Sequence, residues 1–167
     1  MNLKYKKLTF LALSVSLAMI LSFVESLIPP LVAVPGVKIG LANIVTVFLL
    51  YTLGARAAVV VSLIRALLSA LLFGNVQSLI FAFSGAVVSL AVMMAVKRIS
   101  PFGKVGVSVL GAVAHNAGQV AAAVIVMETV ALAYYFIPLV ISGTIAGVFV
   151  GIIAAIITAR LEKVIKM

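Results

Sequence analysis

The residues of this chain that are best suited to chemistry are few, and they stand in otherwise apolar sequence. Arg65 lies within one aliphatic run, and His115, Asn116 and Gln119 form a compact polar set within another. If that second run is helical, His115 and Gln119 are four residues apart and share one face. A guanidinium, an imidazole and two amides can hold the polar groups of a small molecule. These four residues are the first candidates for a binding site.

Other kinds of site are excluded by the residues that the chain lacks. The sequence contains no Asp, no Cys and a single His. It therefore offers no aspartate-rich magnesium site, no Asp-based catalytic triad, no aspartyl phosphate and no thiolate. One His without Asp or Cys also fails to supply the usual ligands of a metal site. We expect no metal, no cofactor and no enzymatic activity from this chain.

The elements that must position the polar residues are membrane helices. Apolar residues make up 66% of the 167 residues and charged residues only 9%, with a mean hydropathy of +1.43. So few charges do not cover the surface of a soluble domain. Runs long enough to cross a bilayer, separated at Gly, Pro and charged residues, predict six transmembrane helices in one all-α domain, residues 1–167. Their approximate ranges are 8–28, 39–53, 57–73, 76–96, 105–127 and 134–159.

The basic residues predict how this six-helix bundle is oriented. With a cytoplasmic N-terminus, ten Lys and Arg residues fall inside and Lys38 alone falls outside, while Arg65 stays within the membrane. Because Lys and Arg in short loops resist translocation, we expect both termini in the cytoplasm, in the cytoplasmic membrane of a prokaryote. The net charge of +9 then reflects topology and contact with anionic lipid. It does not indicate nucleic-acid binding.

The polar residues within this topology predict a pocket that opens to the outside. Polar groups in hydrocarbon tend to face a cavity or one another, and the inner half of the membrane holds little beyond Ser and Thr. The candidate ligand-binding residues are charged or carry amides or imidazole, and lie in the outer half or near mid-membrane: Glu25, Lys38, Asn43, Arg65, Asn75, His115, Asn116 and Gln119.

Each of these candidates also has a purely structural interpretation. Arg65 lies too deep for easy snorkelling, so it pairs either with a ligand or internally with Glu25 or Glu128. The polar set on the fifth helix lines a cavity or only joins helices by hydrogen bonds. Lys38 ends a Pro-rich segment, 29–38, which is either a lid over the pocket or a plain connector.

Small residues at four-residue spacing on the first helix allow another helix to approach closely. Ala12 and Ser16 form one such pair, and Ser14 and Ala18 form another. Stripes of this kind usually serve packing within a bundle. A stripe on the first helix can instead dock a partner membrane protein.

The stretch from Pro35 to Thr46, continued by Tyr51 to Gly54 and Ser62 to Arg65 and ending at Gly74, resembles a known family. It is similar to the Gx transporter family, often labelled heptaprenyl diphosphate synthase component I. That family is grouped with the substrate-binding S components of energy-coupling factor (ECF) transporters. The likeness extends over essentially the whole chain.

This resemblance implies a six-helix membrane protein that captures a scarce, vitamin-like molecule outside the cell and passes it inward. It implies two kinds of partner, a transmembrane coupling protein and two cytoplasmic ATPases. Docking residues on the first helix of such proteins often form an Ala-x-x-x-Ala stripe, which here reads Ala12 and Ser16, or Ser14 and Ala18. The chain has no P-loop motif, so ATP hydrolysis is expected from the partners.

The family label also leaves a second interpretation open. A prenyl diphosphate synthase holds magnesium and diphosphate with aspartates, which this chain lacks. A non-catalytic membrane subunit that binds an isoprenoid would still agree with the label. The sequence does not name the ligand, and flavin-like, quinone-precursor, thiamine-like and isoprenoid compounds all remain candidates.

Overall fold

The computed structural model describes residues 3–27, 40–99 and 102–165, with side chains described for 5–27, 40–99 and 102–161. These parts of the chain form an all-helical bundle, as predicted. Its helices are α1 Leu3–Leu27, α2 Asn43–Thr52, α3 Ala55–Phe73, α4 Val76–Ile99, α5 Lys104–Met127 and α6 Phe136–Ile165, with a short 3₁₀ helix Val130–Tyr135 before α6. The Pro-rich segment 29–38 and Lys38 lie outside the described residues.

Five of these helices are long and apolar enough to cross a membrane, and α2 is not one of them. Its ten residues extend about 15 Å, roughly half of a hydrocarbon core of about 30 Å. The predicted range 39–53 was too long because a turn precedes the helix, in which the Asn43 N–H donates to the Gly40 carbonyl (2.8 Å). At the other end, Gly54 has a φ of 88° and its N–H bonds back to Leu49 (3.0 Å), which stops α2.

The short helix α2 is buried in the bundle rather than exposed to lipid. Every residue from Ile44 to Leu50 is buried, and Leu49 has no exposed surface. The helix packs against α1, α3 and α6. An apolar helix that is buried on all sides needs no polar face, so a continuous apolar run is what this position requires.

Helices α2 to α6 form a closed ring in which each helix packs against the next one in the chain. Helix α3 packs on α4, α4 on α5, and α5 on α6, while α6 returns to α2 and α2 to α3. Helix α1 lies against α3 and α2, with Phe23 and Phe73 in ring contact (centroids 5.3 Å apart). This closed arrangement leaves its interior lined by one face of each helix.

Basic residues meet at one end of the bundle, because successive helices alternate in direction. At the end of α2, the ammonium groups of Lys97 and Lys104 lie 4.7 and 5.6 Å from the centre of the Tyr51 ring. Lys97 also donates a hydrogen bond to the Leu50 carbonyl (2.6 Å), one of the free carbonyls at the end of that helix. We refer to this end, where Tyr51, Lys97 and Lys104 meet, as the basic end.

Glycines bring α5 and α6 into backbone contact. A Cβ atom at Gly147 would lie 2.7 Å from Cα of Val109, and one at Gly151 would lie 2.7 Å from Cα of Val105. Real Cβ atoms do not come so close to a backbone atom, so only glycine fits this helix spacing. The contact fixes the polar face of α5 relative to α6.

Candidate functional site

A cavity of about 60 Å³ lies inside the bundle, and all six helices contribute to its lining. It includes six of the eight side chains predicted to bind a ligand: Glu25, Asn43, Arg65, His115, Asn116 and Gln119. At roughly 10–15 Å³ for each water molecule, the space admits several waters. The fold therefore gathers polar groups that are far apart in sequence.

The cavity lies at mid-depth in the bundle. Arg65 is close to the middle of α3, and His115 close to the middle of α5. Asn43 is the first residue of α2, so this short helix separates the polar part of the cavity from the basic end. The depth of Arg65 and His115 within a membrane stays a prediction.

Arg65 is the cation of the cavity, and Glu25 is the carboxylate that attracts it. The Nε atom of Arg65 is buried and has no hydrogen-bond partner. Of the two internal partners considered from sequence, Glu128 is exposed and ends α5 in a left-handed conformation (φ 51°). Of these two carboxylates, Glu25 is therefore the one that acts on Arg65, and the Nε donor of the guanidinium has no partner.

Glu25 links three elements at one wall of the cavity. Its side chain is 8% exposed, and its Oε1 accepts a hydrogen bond from the backbone N–H of Gly40, just before α2. The same carboxylate favours the charged guanidinium of Arg65 on α3 electrostatically. Glu25 is therefore coupled to the start of α2 by a hydrogen bond and to α3 by charge. The Gly40 N–H and the Arg65 guanidinium both stabilise the negative charge of Glu25.

The polar residues of α5 line the cavity, and one of them also joins two helices by a hydrogen bond. Asn116 donates a hydrogen bond from Nδ2 to the Leu139 carbonyl on α6 (2.7 Å), and it also lines the cavity. His115 and Gln119 pack over Gly85 of α4, where an added Cβ would lie 2.9 Å from His115 Cε1 and 2.8 Å from Gln119 Cγ. This close packing orients both side chains along the cavity wall.

Sequence reasoning missed several residues of the cavity. Ser89, Met93 and Ser108 line it, and Ser89 donates a hydrogen bond to the Gly111 carbonyl (2.7 Å). Serines and methionines are common in membrane helices and carry no chemical signature. Only the packing of α4 against α5 could identify these positions.

Unlike the other predicted ligand-binding residues that the structure describes, Asn75 does not line the cavity. It caps α4 instead, since its Oδ1 accepts from the Ser78 N–H (2.8 Å) and its own N–H donates to Ser78 Oγ (2.8 Å). This is the ordinary role of Asn at the start of a helix. Its predicted part in ligand binding gains no support from this position.

We expect Asn75→Ala to lower the free energy of unfolding by about 1 kcal/mol, because the first turn of α4 loses its cap. The affinity for the ligand should not change, because Asn75 does not line the cavity. Thermal unfolding and ligand retention in detergent check the two effects separately. The neighbouring exposed residue supplies a control variant, Gln77→Ala. A loss of ligand with Asn75→Ala, while Gln77→Ala keeps it, would restore Asn75 to the binding site.

The small residues of α1 divide into two faces. Ser14 and Ala18 are buried against the bundle, whereas Ala12 and Ser16 are exposed. The stripe of Ser14 and Ala18 is therefore used within the chain. The stripe of Ala12 and Ser16 is open to lipid or to another helix.

The lining of the cavity combines charged, hydrogen-bonding and apolar groups. Within residues 3–27, 40–99 and 102–165, no three His, Cys, Asp or Glu side chains group closely enough to hold a metal ion. The lining does offer one cation, one carboxylate, an imidazole, three amides and apolar walls. That mixture is typical of a pocket that orients a small molecule.

Comparisons with known proteins identify the family. No curated protein and no solved structure shows a significant match to the chain. A family model described as heptaprenyl diphosphate synthase component I matches residues 14–157, which include part of every helix and all the cavity residues. The resemblance seen in the sequence is confirmed: this membrane protein belongs to the heptaprenyl diphosphate synthase component I family.

Proposed function

We propose that this chain is the substrate-binding subunit of an ECF-type uptake transporter in the cytoplasmic membrane of a prokaryote. Its cavity captures a vitamin-like small molecule from outside the cell. ATP is hydrolysed by two cytoplasmic ATPases, which act through a transmembrane coupling protein. The observation that carries the proposal is the grouping of six polar side chains, drawn from four helices, around one cavity in an apolar bundle.

The position of the cavity supports capture from the outer side. If the basic end is cytoplasmic, as the positive-inside rule requires, both termini face the cytoplasm. The buried helix α2 then fills the inner half of the bundle between the cytoplasm and the polar residues. Such a floor suits a binding protein, because a channel needs a continuous polar path.

The side chains of the cavity suit transport more than catalysis. Ligand capture needs hydrogen-bonding groups that remain unchanged, and Arg65, Asn43 and Gln119 are groups of that kind. The chain has no Asp with which to hold magnesium against a diphosphate. In this proposal the chain makes and breaks no covalent bond.

A second candidate function follows from the description of the family. A component of a heptaprenyl diphosphate synthase would be a non-catalytic membrane subunit that holds an isoprenoid for a soluble prenyltransferase. In this candidate the head group of the isoprenoid would meet Arg65, and its chain would meet the apolar side chains of Val47, Met93 and Val150, which line the same cavity. This candidate predicts a different partner and a different ligand, so one experiment separates the two.

The experiment is native mass spectrometry of the protein purified in mild detergent from its own host. The transporter proposal expects a retained, vitamin-sized molecule together with a coupling protein and two ATPases. A prenyl phosphate with a soluble synthase, and without ATPases, would overturn it in favour of the second candidate. Capture of neither partner class from membranes that contain both would also contradict the proposed assembly.

The exposed small-residue face of α1 gives a further prediction about that assembly. We expect Ala12→Leu combined with Ser16→Leu to reduce copurification of the coupling protein at least about tenfold, because bulky side chains prevent close helix approach. Ligand retention by the isolated subunit should remain, since both residues are exposed and outside the cavity.

A matched control for this docking variant is available on another helix. Ala91 of α4 is an exposed small residue, and Ala91→Leu should leave the complex intact. Quantitative mass spectrometry of the purified complexes measures both variants. Equal recovery of the coupling protein with both variants would remove Ala12 and Ser16 from the docking surface.

A further inference from the structure

The cavity is electrically balanced before any ligand enters. Among its described lining residues, Arg65 is the cation and Glu25 the carboxylate, and the other lining side chains carry no fixed charge. The two charges attract each other. A ligand with a net charge would leave one charge uncompensated in a region of low dielectric constant, which is unfavourable.

Arg65 nevertheless has a donor to offer. Its Nε is buried and unpartnered, and a buried donor without an acceptor carries a cost that an incoming acceptor removes. A guanidinium presents its N–H groups in one plane, so a carbonyl oxygen or ring nitrogen in that plane can accept from Nε. This acceptor need not be charged, because Glu25 already balances the guanidinium.

Asn116 offers the complementary group. The Leu139 carbonyl can only accept a hydrogen bond, so the nitrogen of the Asn116 amide must face it (2.7 Å). The oxygen of that amide is the part left for a ligand in the cavity that Asn116 lines. Arg65 and Asn116 line the same cavity, and each has one hydrogen-bonding atom to which no partner has been assigned above, a donor in Arg65 and an acceptor in Asn116.

We infer that the cavity takes an uncharged ligand whose polar edge combines an acceptor for Arg65 Nε with an N–H or O–H donor for Asn116 Oδ1. A primary carboxamide on a ring, or a cyclic amide or imide, has such an edge. Carboxylates, phosphates and ammonium groups do not fit the charge balance. The inference rests on the proposed binding function, and it narrows the ligand class of that same cavity.

The first test uses the molecule that the protein retains from its host. Its mass and fragmentation give its functional groups, and the inference expects a compound with no net charge at pH 7 and an amide-type edge. A retained carboxylate, phosphate or amine would overturn the inference. The transport proposal would still stand if the coupling protein and ATPases are present. A neutral ligand with an amide-type edge but without these partners would support the inference and contradict the transport proposal.

The second test uses three probes that share one ring and differ in charge: nicotinamide, nicotinate and 3-(aminomethyl)pyridine. Isothermal titration at pH 7 with the detergent-purified protein, freed of retained ligand, should give a Kd for nicotinamide at least about tenfold below that of the other two. Arg65→Ala should remove this preference, and Arg56→Ala, an exposed arginine of the same helix, should keep it. Tighter binding of nicotinate or the amine, equal binding of all three, or no binding of nicotinamide would each overturn the inference.

Discussion

Arg65→Ala is expected to weaken retention of the captured molecule by about 10- to 100-fold, the range for losing a hydrogen bond from a charged donor. Its Nε is the buried donor that remains free for a ligand. The same substitution should lower the free energy of unfolding by about 3–5 kcal/mol, because the buried carboxylate of Glu25 loses the cation that attracts it. Ligand binding and thermal unfolding in detergent measure the two effects.

A double variant separates ligand contact from internal pairing. Glu25→Gln combined with Arg65→Ala removes both charges, so much of the lost stability should return. Binding should not return if Arg65 contacts the ligand directly. Recovery of both properties in the double variant would show that Arg65 serves only to pair with Glu25.

A matched substitution tests whether any loss is specific to the cavity. Arg56 lies at the start of the same helix, is exposed and does not line the cavity. We expect Arg56→Ala to bind the ligand with unchanged affinity. A loss of binding as large as that of Arg65→Ala would mean that the charge of α3 acts at long range rather than by contact.

Gly147→Leu is expected to destabilise the bundle by at least about 3 kcal/mol, the upper range for overpacking a close contact. Even the first carbon of the new side chain would lie 2.7 Å from Cα of Val109, so α5 and α6 must move apart. Ala112 of α5 and Gly147 itself line the cavity, so ligand retention should fall as well. Thermal unfolding in detergent and ligand retention check the two effects.

The control for this helix contact is the same substitution at a glycine with free space. A Cβ at Gly103, just before α5, would meet nothing within 4 Å. Gly103→Leu should therefore change the unfolding free energy by less than about 1 kcal/mol. Equal destabilisation by both variants would argue that the loss comes from the leucine and not from the contact between α5 and α6.

The sequence by itself determined the class of the fold and the chemistry of the candidate site. A bilayer requires apolar helices of a minimum length and favours basic residues on one side of the membrane. Both constraints can be recognised in the local composition of the sequence. The long helices, the mid-depth positions of Arg65 and His115, and the grouping of basic side chains follow from them. Polar residues inside hydrocarbon are costly, so most of those found in the apolar runs could be assigned to a shared cavity.

The tertiary structure alone decided which apolar surfaces face inward. Lipid and protein interior are equally apolar. Hydrophobicity therefore does not distinguish a helix buried in the bundle from a membrane-spanning helix on the outside of the bundle. For this reason α2 was predicted to cross the membrane over a short range, 39–53, although it is a buried helix of only ten residues. The two small-residue stripes of α1 were indistinguishable for the same reason.

The partners of individual polar groups also depended on the tertiary structure. Glu25 and Glu128 were equivalent candidates for Arg65 until the packing of α1 on α3 brought Glu25 to it. Asn75 resembled a pocket residue, but its own helix uses it as a cap. Sequence reveals which side chains cannot remain alone in a membrane, and the packing of distant helices determines which group each one meets.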